Sequence, residues 1–294
     1  MKKKLKVLSL FDGMSCGQIA LNKMGYSQDD YDYYASEIHQ PSIKVTQHNF
    51  PNTIQLGDVT KVFYKDRILY SENGDYSVGK IDLVMGGSPC QSISNLGKRE
   101  GLAGKSGLFF HWLRIRDEIN PNAWLLENVV GNKEAIKTIS ELLGTQPTLI
   151  NSNLVSAQNR KRLYWTNKAS LEQPKDKNIY LKDILDNDVK PEAMLTEGRL
   201  KWLLSEKGQL CVTKRYASIN PNKANCLTAR SDASWNCNYI TRGYTYYKLS
   251  CNEYEKLQTV PEGYTSTVSS KDRYNMLGNG WTVDIIVHIL KQIL

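Results

Sequence analysis

No two of the six cysteines, at positions 16, 90, 211, 226, 237 and 251, stand in C-x-x-C spacing, which argues against a zinc ribbon. Nowhere does the chain approach the roughly 20 consecutive apolar residues that a membrane-spanning helix needs. The basic start MKKKLKVLSLFDG carries an apolar stretch that ends at Asp12, too short for the core of a secretory signal. Internal repeats and low-complexity tracts are missing too, which excludes solenoids and compositionally biased tails. These absences lead to the expectation of a cytoplasmic protein with reduced cysteines, no membrane partner and no metal.

The 294 residues suffice for one large domain or two unequal ones, each able to bury a core. The formal charge is +8, and its distribution is informative. Residues 1–150 hold 17 basic and 16 acidic side chains, whereas residues 151–294 hold 21 and 14. The footprint for a polyanion is therefore expected in the second half.

Residues 6–11 (KVLSLF), 33–37, 81–85 (IDLVM) and 123–128 (AWLLEN) read as strands, with further strands at 148–155 and 163–166. Helical segments fall between them: one that stops at Gly25, one that starts near Pro41, then 108–119 and 132–143. This alternation predicts an α/β fold with a Rossmann-like, mostly parallel sheet over residues 1–167. The alternation then stops, and residues 196–250 carry nine Lys or Arg, three Asp or Glu, and seven Tyr or Trp. A smaller second domain is expected at 168–248. Residues 249–294 open with a capping box, Ser250 and Glu253. They end in a helix with an apolar stripe of Trp281, Ile285 and Ile289, expected to return to the first domain.

Four motifs carry chemistry. FDGMSCG, Phe11 to Gly17, follows the first strand with a glycine turn that lets a ligand approach the backbone, although it lacks a full G-x-G-x-x-G. Glu37, at the end of the second strand, is placed for ribose hydroxyls, and Asp58 for an adenine amino group; each alone reads more readily as a solvated turn carboxylate, and the ordered set shifts that balance. GGSPCQS, Gly86 to Ser92, puts Cys90 at the carboxyl end of a parallel strand, where open α/β sheets hold their sites. Local context alone does not separate a nucleophile from an inert thiol there. The glycines and cations that follow, as far as residue 107, suit a basic lid. Glu127 in ENV can serve a ring nitrogen. In QNRKR, alternation along an extended segment would put Arg160 and Arg162 on one face.

Taken in order, FDGMSCG, Glu37, Asp58, SPCQ, GLFF, ENV, Q-x-R-x-R and the late LGNGWTV resemble the motifs of the cytosine-5 DNA methyltransferases. The resemblance covers the first 166 residues and roughly the last 80, where LSCNEYEKLQTVPEGYT looks like the family's leucine-glutamine, phenylalanine-proline helix and turn. It implies S-adenosylmethionine as cofactor and Cys90 as a nucleophile that adds to carbon 6 of a flipped-out cytosine. Glu127 would then act at ring N3, with Arg162 and Arg160 at O2 or a nearby phosphate. The implied cofactor residues are Phe11, Asp12, Gly13, Ser15, Gly17, Glu37, Ile38, Asp58, Val59, Pro89 and Leu108, with Asn279, Trp281 and Thr282 near the end. Ser88, Gln91, Ser92 and Asn128 would meet the base. Lys214, Arg215, Arg230 and Arg242, in a small target-recognition domain, would contact phosphates and guanine edges of a short duplex DNA site. A monomer in a bacterial cell or phage-infected host, of restriction-modification type, is expected.

The sequence departs from the family pattern at three places. Ser88 stands where a proline is usual, LQTVP replaces Leu-Gln-Gly-Phe-Pro, and GNGWTV is longer than Gly-Asn-Ser-Val. Three other readings stay open at this point: a tRNA cytosine-5 methyltransferase, a catalytically dead DNA-binding relative, and a dinucleotide-dependent oxidoreductase. The last leaves PCQ, ENV and Q-x-R-x-R without a role.

Overall fold

The computed structural model describes residues 3–89, 105–230, 233–235 and 237–294. They form two compact units: Met1–Ile150 with Lys161–Gln173 and Ile286–Leu294, and Asn151–Arg160 with Pro174–Ile285.

The first unit alternates strand and helix as expected. In chain order it contains β1 (Leu5–Leu10), α1 (Cys16–Lys23), β2 (Tyr31–Ser36), α2 (Gln40–Asn49) and β3 (Ile54–Gln55). Three short strands follow, β4 (Phe63–Lys65), β5 (Ile68–Ser71) and β6 (Gly74–Ser77), then β7 (Leu83–Gly86), α3 (Phe109–Ile119), β8 (Ala123–Val129) and α4 (Lys133–Leu143). Beyond these come β9 (Thr148–Asn151) and β11 (Lys161–Thr166); β10 (Gln158–Asn159), between them in the chain, belongs to the second unit. Local chemistry fixes the helix ends. Pro41 occupies the first turn of α2, Asn132 accepts from the Ala135 N–H to start α4, and Gly144 ends α4 at φ 68°.

The central sheet has seven strands in the order β3-β2-β1-β7-β8-β11-β9. The pairs β2–β3, β1–β2, β1–β7 and β7–β8 are parallel, and β11 runs antiparallel to β8. The mostly parallel α/β sheet is thus present. Buried runs such as the LVMG of β7 supply its middle, as strands covered on both faces require. Register places Leu10 beside Ser36 and Gly86, and Gly86 beside Leu126, so these strands end together. Phe11, Glu37, Ser88 and Glu127 therefore emerge from one carboxyl edge. A core of Leu8, Leu10, Val84, Leu126, Trp112 and Trp165 holds the edge rigid. The Trp165 indole donates to Ser140 Oγ at 3.0 Å, so this large ring is buried without stranding its N–H. Strands β4, β5 and β6 form a separate antiparallel sheet that the sequence reading had not identified.

In the second unit, β10 pairs with β13 (Ala224–Asn225). A three-stranded sheet joins β12 (Ser218–Ile219), β14 (Asn238–Arg242) and β15 (Thr245–Lys248). Helices α5 (Glu197–Leu204) and α6 (Glu206–Thr213) are capped by Thr196 and Ser205. With Ala217, Cys237 and Tyr239, Leu203 of α5 forms a small core. The Ser250–Glu253 capping box does start α7 (Cys251–Leu257), which is followed by α8 (Ser270–Asn279) and α9 (Val283–Ile293). The units are cut differently from the domains expected at 167/168 and 248/249. Asn151–Arg160 and most of the C-terminal segment group with the second unit, and Ile286–Leu294 with the first.

Candidate functional site

The turn after β1 has an unusual backbone. Phe11, Gly13 and Ser15 take φ values of 59°, 59° and 61°. Only glycine adopts that region cheaply, and strain held at two other residues within one loop is characteristic of functional sites. Side-chain contacts tie the loop to β2 and the residue after it. The Tyr33 hydroxyl donates to Asp12 Oδ1 at 2.8 Å, and the Gly13 N–H donates to Glu37 Oε2 at 2.8 Å. Glu37 Oε1 accepts from the Ile38 and His39 N–H groups, both at 2.8 Å. A carboxylate offers about four acceptor positions, so Glu37 retains capacity for a ligand hydroxyl. Gly17 lets α1 approach the sheet: a Cβ there would stand 2.4 Å from Met85 Cε and 2.6 Å from the Tyr33 hydroxyl.

Below the turn, Asp12 Oδ2 is shut off from solvent and accepts no hydrogen bond from the described residues. Burial pushes its carboxyl up to about 6, against hydrogen bonds from Ser9, Tyr33 and Ser15 that pull the other way. A buried anionic oxygen with no donor favours a cationic ligand, and S-adenosylmethionine is cationic at both sulfur and nitrogen. Ile38 is 67% exposed beside Glu37, an apolar surface suited to a base ring. Asp58 Oδ1 accepts from the Thr60 N–H at 2.9 Å, and that backbone bond holds its carboxyl below the usual range. Phe11 and Leu108 pack half-buried against the core, and Val59 lies within it. The residues of this edge fit an adenosyl cofactor.

The strand ends beside this turn carry the second cluster. Glu127 is buried, and its Oε1 receives the Arg162 Nε at 2.9 Å. Asn128 Nδ2 donates to the carbonyl and the hydroxyl of Ser88, at 3.3 and 3.2 Å. Pro89 is the last described residue before Cys90. Cys90, Gln91, Ser92 and the expected lid as far as residue 104 lie outside the described residues.

Arg162 meets Glu127, whereas Arg160 turns to backbone carbonyls of the second unit. The strand is interrupted at Arg160, between β10 and β11, so the alternation rule does not carry across it. Arg160 belongs to the second unit, is 2% exposed, and donates to the carbonyls of Leu227 (2.9 Å), Gly278 (3.2 Å) and Gly280 (2.8 Å). It joins a buried polar network that the sequence reading missed. Gln158 Nε2 donates to the Leu257 carbonyl (2.7 Å) and to Gln258 Oε1 (2.8 Å), and Gln258 Nε2 donates to the Leu277 carbonyl (2.6 Å). The Thr282 hydroxyl donates to Gln258 Oε1 at 2.9 Å and accepts from the Ser152 hydroxyl at 2.8 Å. The Q-x-R, LQ and GNGWT segments thus brace one another within this unit. Asn279 is exposed and Trp281 half-buried.

Of the four cations expected to contact DNA, Lys214, Arg215 and Arg230 are exposed. Arg242 is committed elsewhere: it donates to the carbonyls of Asp186 and Asn187 and lies over the Tyr247 ring. Among the described residues, no group of three or more His, Cys, Asp or Glu can hold a metal ion. No helix among them is long and apolar enough to cross a membrane.

A family model for the C-5 cytosine-specific DNA methylases matches residues 5–230 and 220–294. The chain belongs to that family. It is 27% identical over 290 residues to the orphan methyltransferase M.SPRI of Bacillus phage SPR, covering 94% of this chain and 58% of that protein. It is 28% identical over 325 residues to the type II methyltransferase M1.ScrFI of Lactococcus lactis subsp. cremoris, covering 99% and 78%. Against the orphan methyltransferase M.Rho11sI of Bacillus phage rho11s the identity is 31% over 175 residues, 55% of this chain and 32% of that protein. The chain therefore spans 58% of the length of M.SPRI and about a third of that of M.Rho11sI. The fold is shared with the Dnmt2 methyltransferase of S. pombe (TM-score 0.73, 17% identity, 99% and 98% of the two chains). It is also shared with EhMeth of Entamoeba histolytica (TM-score 0.76, 16% identity, 99% and 98%).

Proposed function

We propose that this chain is an S-adenosylmethionine-dependent DNA (cytosine-5)-methyltransferase acting on a short duplex sequence. One observation carries the reading: buried Glu127, near the end of β8, is paired with Arg162 of the neighbouring β11, while β7 on the other side leads through Ser88-Pro89 towards Cys90. That sequence of groups suits addition to a pyrimidine ring. The cytosine leaves the stack, at a cost of a few kcal/mol, because carbon 6 is inaccessible within a duplex. The Cys90 thiolate adds to carbon 6, and the displaced electron pair spreads over carbon 5 and N3. Glu127, carrying a proton, hydrogen-bonds N3 and passes that proton to it as charge develops, then takes it back when the 5,6 double bond re-forms, while Arg162 holds the Glu127 carboxyl group and faces O2. S-adenosylmethionine, when bound, supplies a methyl group as an electrophile. Carbon 5 takes that methyl, loses its proton to a base, and the returning electron pair re-forms the 5,6 double bond and expels the Cys90 thiolate.

On the cofactor side, the Phe11–Gly17 turn receives the methionine end, Asp12 faces its positive charge, Glu37 holds the ribose and Asp58 the adenine amine. Within residues 168–248, Lys214, Arg215 and Arg230 contact DNA phosphates or guanine edges. The protein works as a monomer in the cytoplasm of a bacterium or phage-infected cell. Bisulfite sequencing of a plasmid that expresses the gene tests this reading. Protected cytosines at one recurring short sequence support it. Absence of protection, together with methyl transfer to tRNA by the purified protein, would replace DNA as the substrate.

A further inference from the structure

Backbone pairing between β7 and β8 ends at Gly86 beside Leu126. Two residues further in the same register, Ser88 lies beside Asn128. Pro89 has no N–H, so an ordinary ladder cannot continue there. A side chain takes over: Asn128 Nδ2 donates to the Ser88 carbonyl at 3.3 Å and to the Ser88 hydroxyl at 3.2 Å. The amide cannot turn over without loss, because Asn128 Oδ1 accepts from the Val129 N–H at 2.8 Å. Both residues are sealed, Asn128 at 2% exposure and Ser88 at 4%. Ser88 is confined to extended conformations because a proline follows it, and Pro89 has a fixed φ. The chain direction at the threshold of residue 90 is thus set by the proline ring and by one asparagine.

We propose that Asn128 is a positioning residue for the Cys90 nucleophile, acting through Ser88, and that it does not contact the base. The Ser88 hydroxyl gives that asparagine a second acceptor and couples the two positions. The inference rests on the proposed methyltransferase reading.

The experiment uses the full chain, S-adenosylmethionine and a duplex carrying 5-fluorocytosine at the target, on which the covalent adduct cannot resolve. Single-turnover rates of adduct formation and the separate affinities for cofactor and duplex are measured for the wild type, Asn128→Leu, Ser88→Ala and the double variant. Asn128→Leu is expected to slow adduct formation about 100-fold, the scale of a displacement of about 1 Å at a reacting group, with both affinities kept. Ser88→Ala should lose less, and the double variant no more than Asn128→Leu alone, because the two residues act as one unit. A loss confined to duplex affinity, or additive losses in the double variant, overturns the positioning role. Should Asn128→Leu fail to fold by circular dichroism, Ser88→Ala decides: an unchanged rate overturns the proposal and a slowed rate with kept affinities supports it. A wild type that forms no adduct at all overturns the methyltransferase reading itself, a result distinguishable from every variant effect.

Discussion

Replacing Asp12 by asparagine should make the protein's stability less dependent on pH in a defined direction. Asp12 Oδ2 is buried without a donor, and burial lifts the carboxyl from 3.8 to about 6. A raised carboxyl means that the folded state holds its proton more tightly than the unfolded chain. The resulting contribution to stability is full below pH 3.8 and is lost as pH rises through about 6. Above that, the fold carries a buried carboxylate, and the gap between 3.8 and about 6 corresponds to about 3 kcal/mol. Asparagine cannot ionise, yet its Oδ1 can still accept from Tyr33. Urea unfolding of the ligand-free wild type and Asp12→Asn should therefore diverge with pH. The difference should move in favour of the variant by about 2–3 kcal/mol between pH 4 and pH 8, most steeply below pH 6. A difference that stays constant across this range would refute the assignment of a buried, cation-seeking carboxyl under the turn.

Glu255 is fully buried and ion-paired with Arg273 at 3.2 Å while accepting from the Gly263 and Thr265 N–H groups. Glu255→Ala should lower stability by about 3–5 kcal/mol in chemical denaturation, because it removes the counter-charge of Arg273 and the acceptor of the Gly263 and Thr265 N–H groups. Gly278→Ala puts a Cβ 2.2 Å from the Thr228 carbonyl, which is backbone and yields little, so a loss of about 3 kcal/mol is expected in the same assay. Alanine at Lys214, Arg215 or Arg230 should weaken duplex binding and reduce its salt dependence by about one ion each, with the melting temperature unchanged. Arg242→Ala should do the reverse, lowering the melting temperature while leaving the salt dependence intact, since its guanidinium is bound to protein carbonyls.

The sheet was legible because its strands are continuous apolar runs and its helices carry their own stop signals, as Gly144 shows at φ 68°. Glu37 and Glu127 were legible as groups at strand ends, since parallel sheets gather such ends on one edge. What failed to show was the choice of partner. Arg160 and Arg242 look like any exposed arginine in the sequence, yet each is bound to carbonyls far along the chain, at Gly278 and Gly280 for one and at Asp186 and Asn187 for the other. Periodicity describes neighbours along the backbone and cannot identify acceptors 55 to 120 residues away. The β4–β6 sheet escaped for a different reason. Its strands have three or four residues each, and the turn between β4 and β5 uses Asp66 and Arg67 at φ 50° and 65° where glycine or asparagine would have marked it.

The central claim is that the sulfur of Cys90 bonds to the target base. Mass spectrometry of peptides from the protein after reaction with S-adenosylmethionine and a 5-fluorocytosine duplex tests it directly. The account predicts one modified peptide, carrying the nucleotide at Cys90, and none from Cys90→Ser. A nucleotide mapped to Cys16, Cys211, Cys226, Cys237 or Cys251, or an adduct that persists in the serine variant, would contradict it.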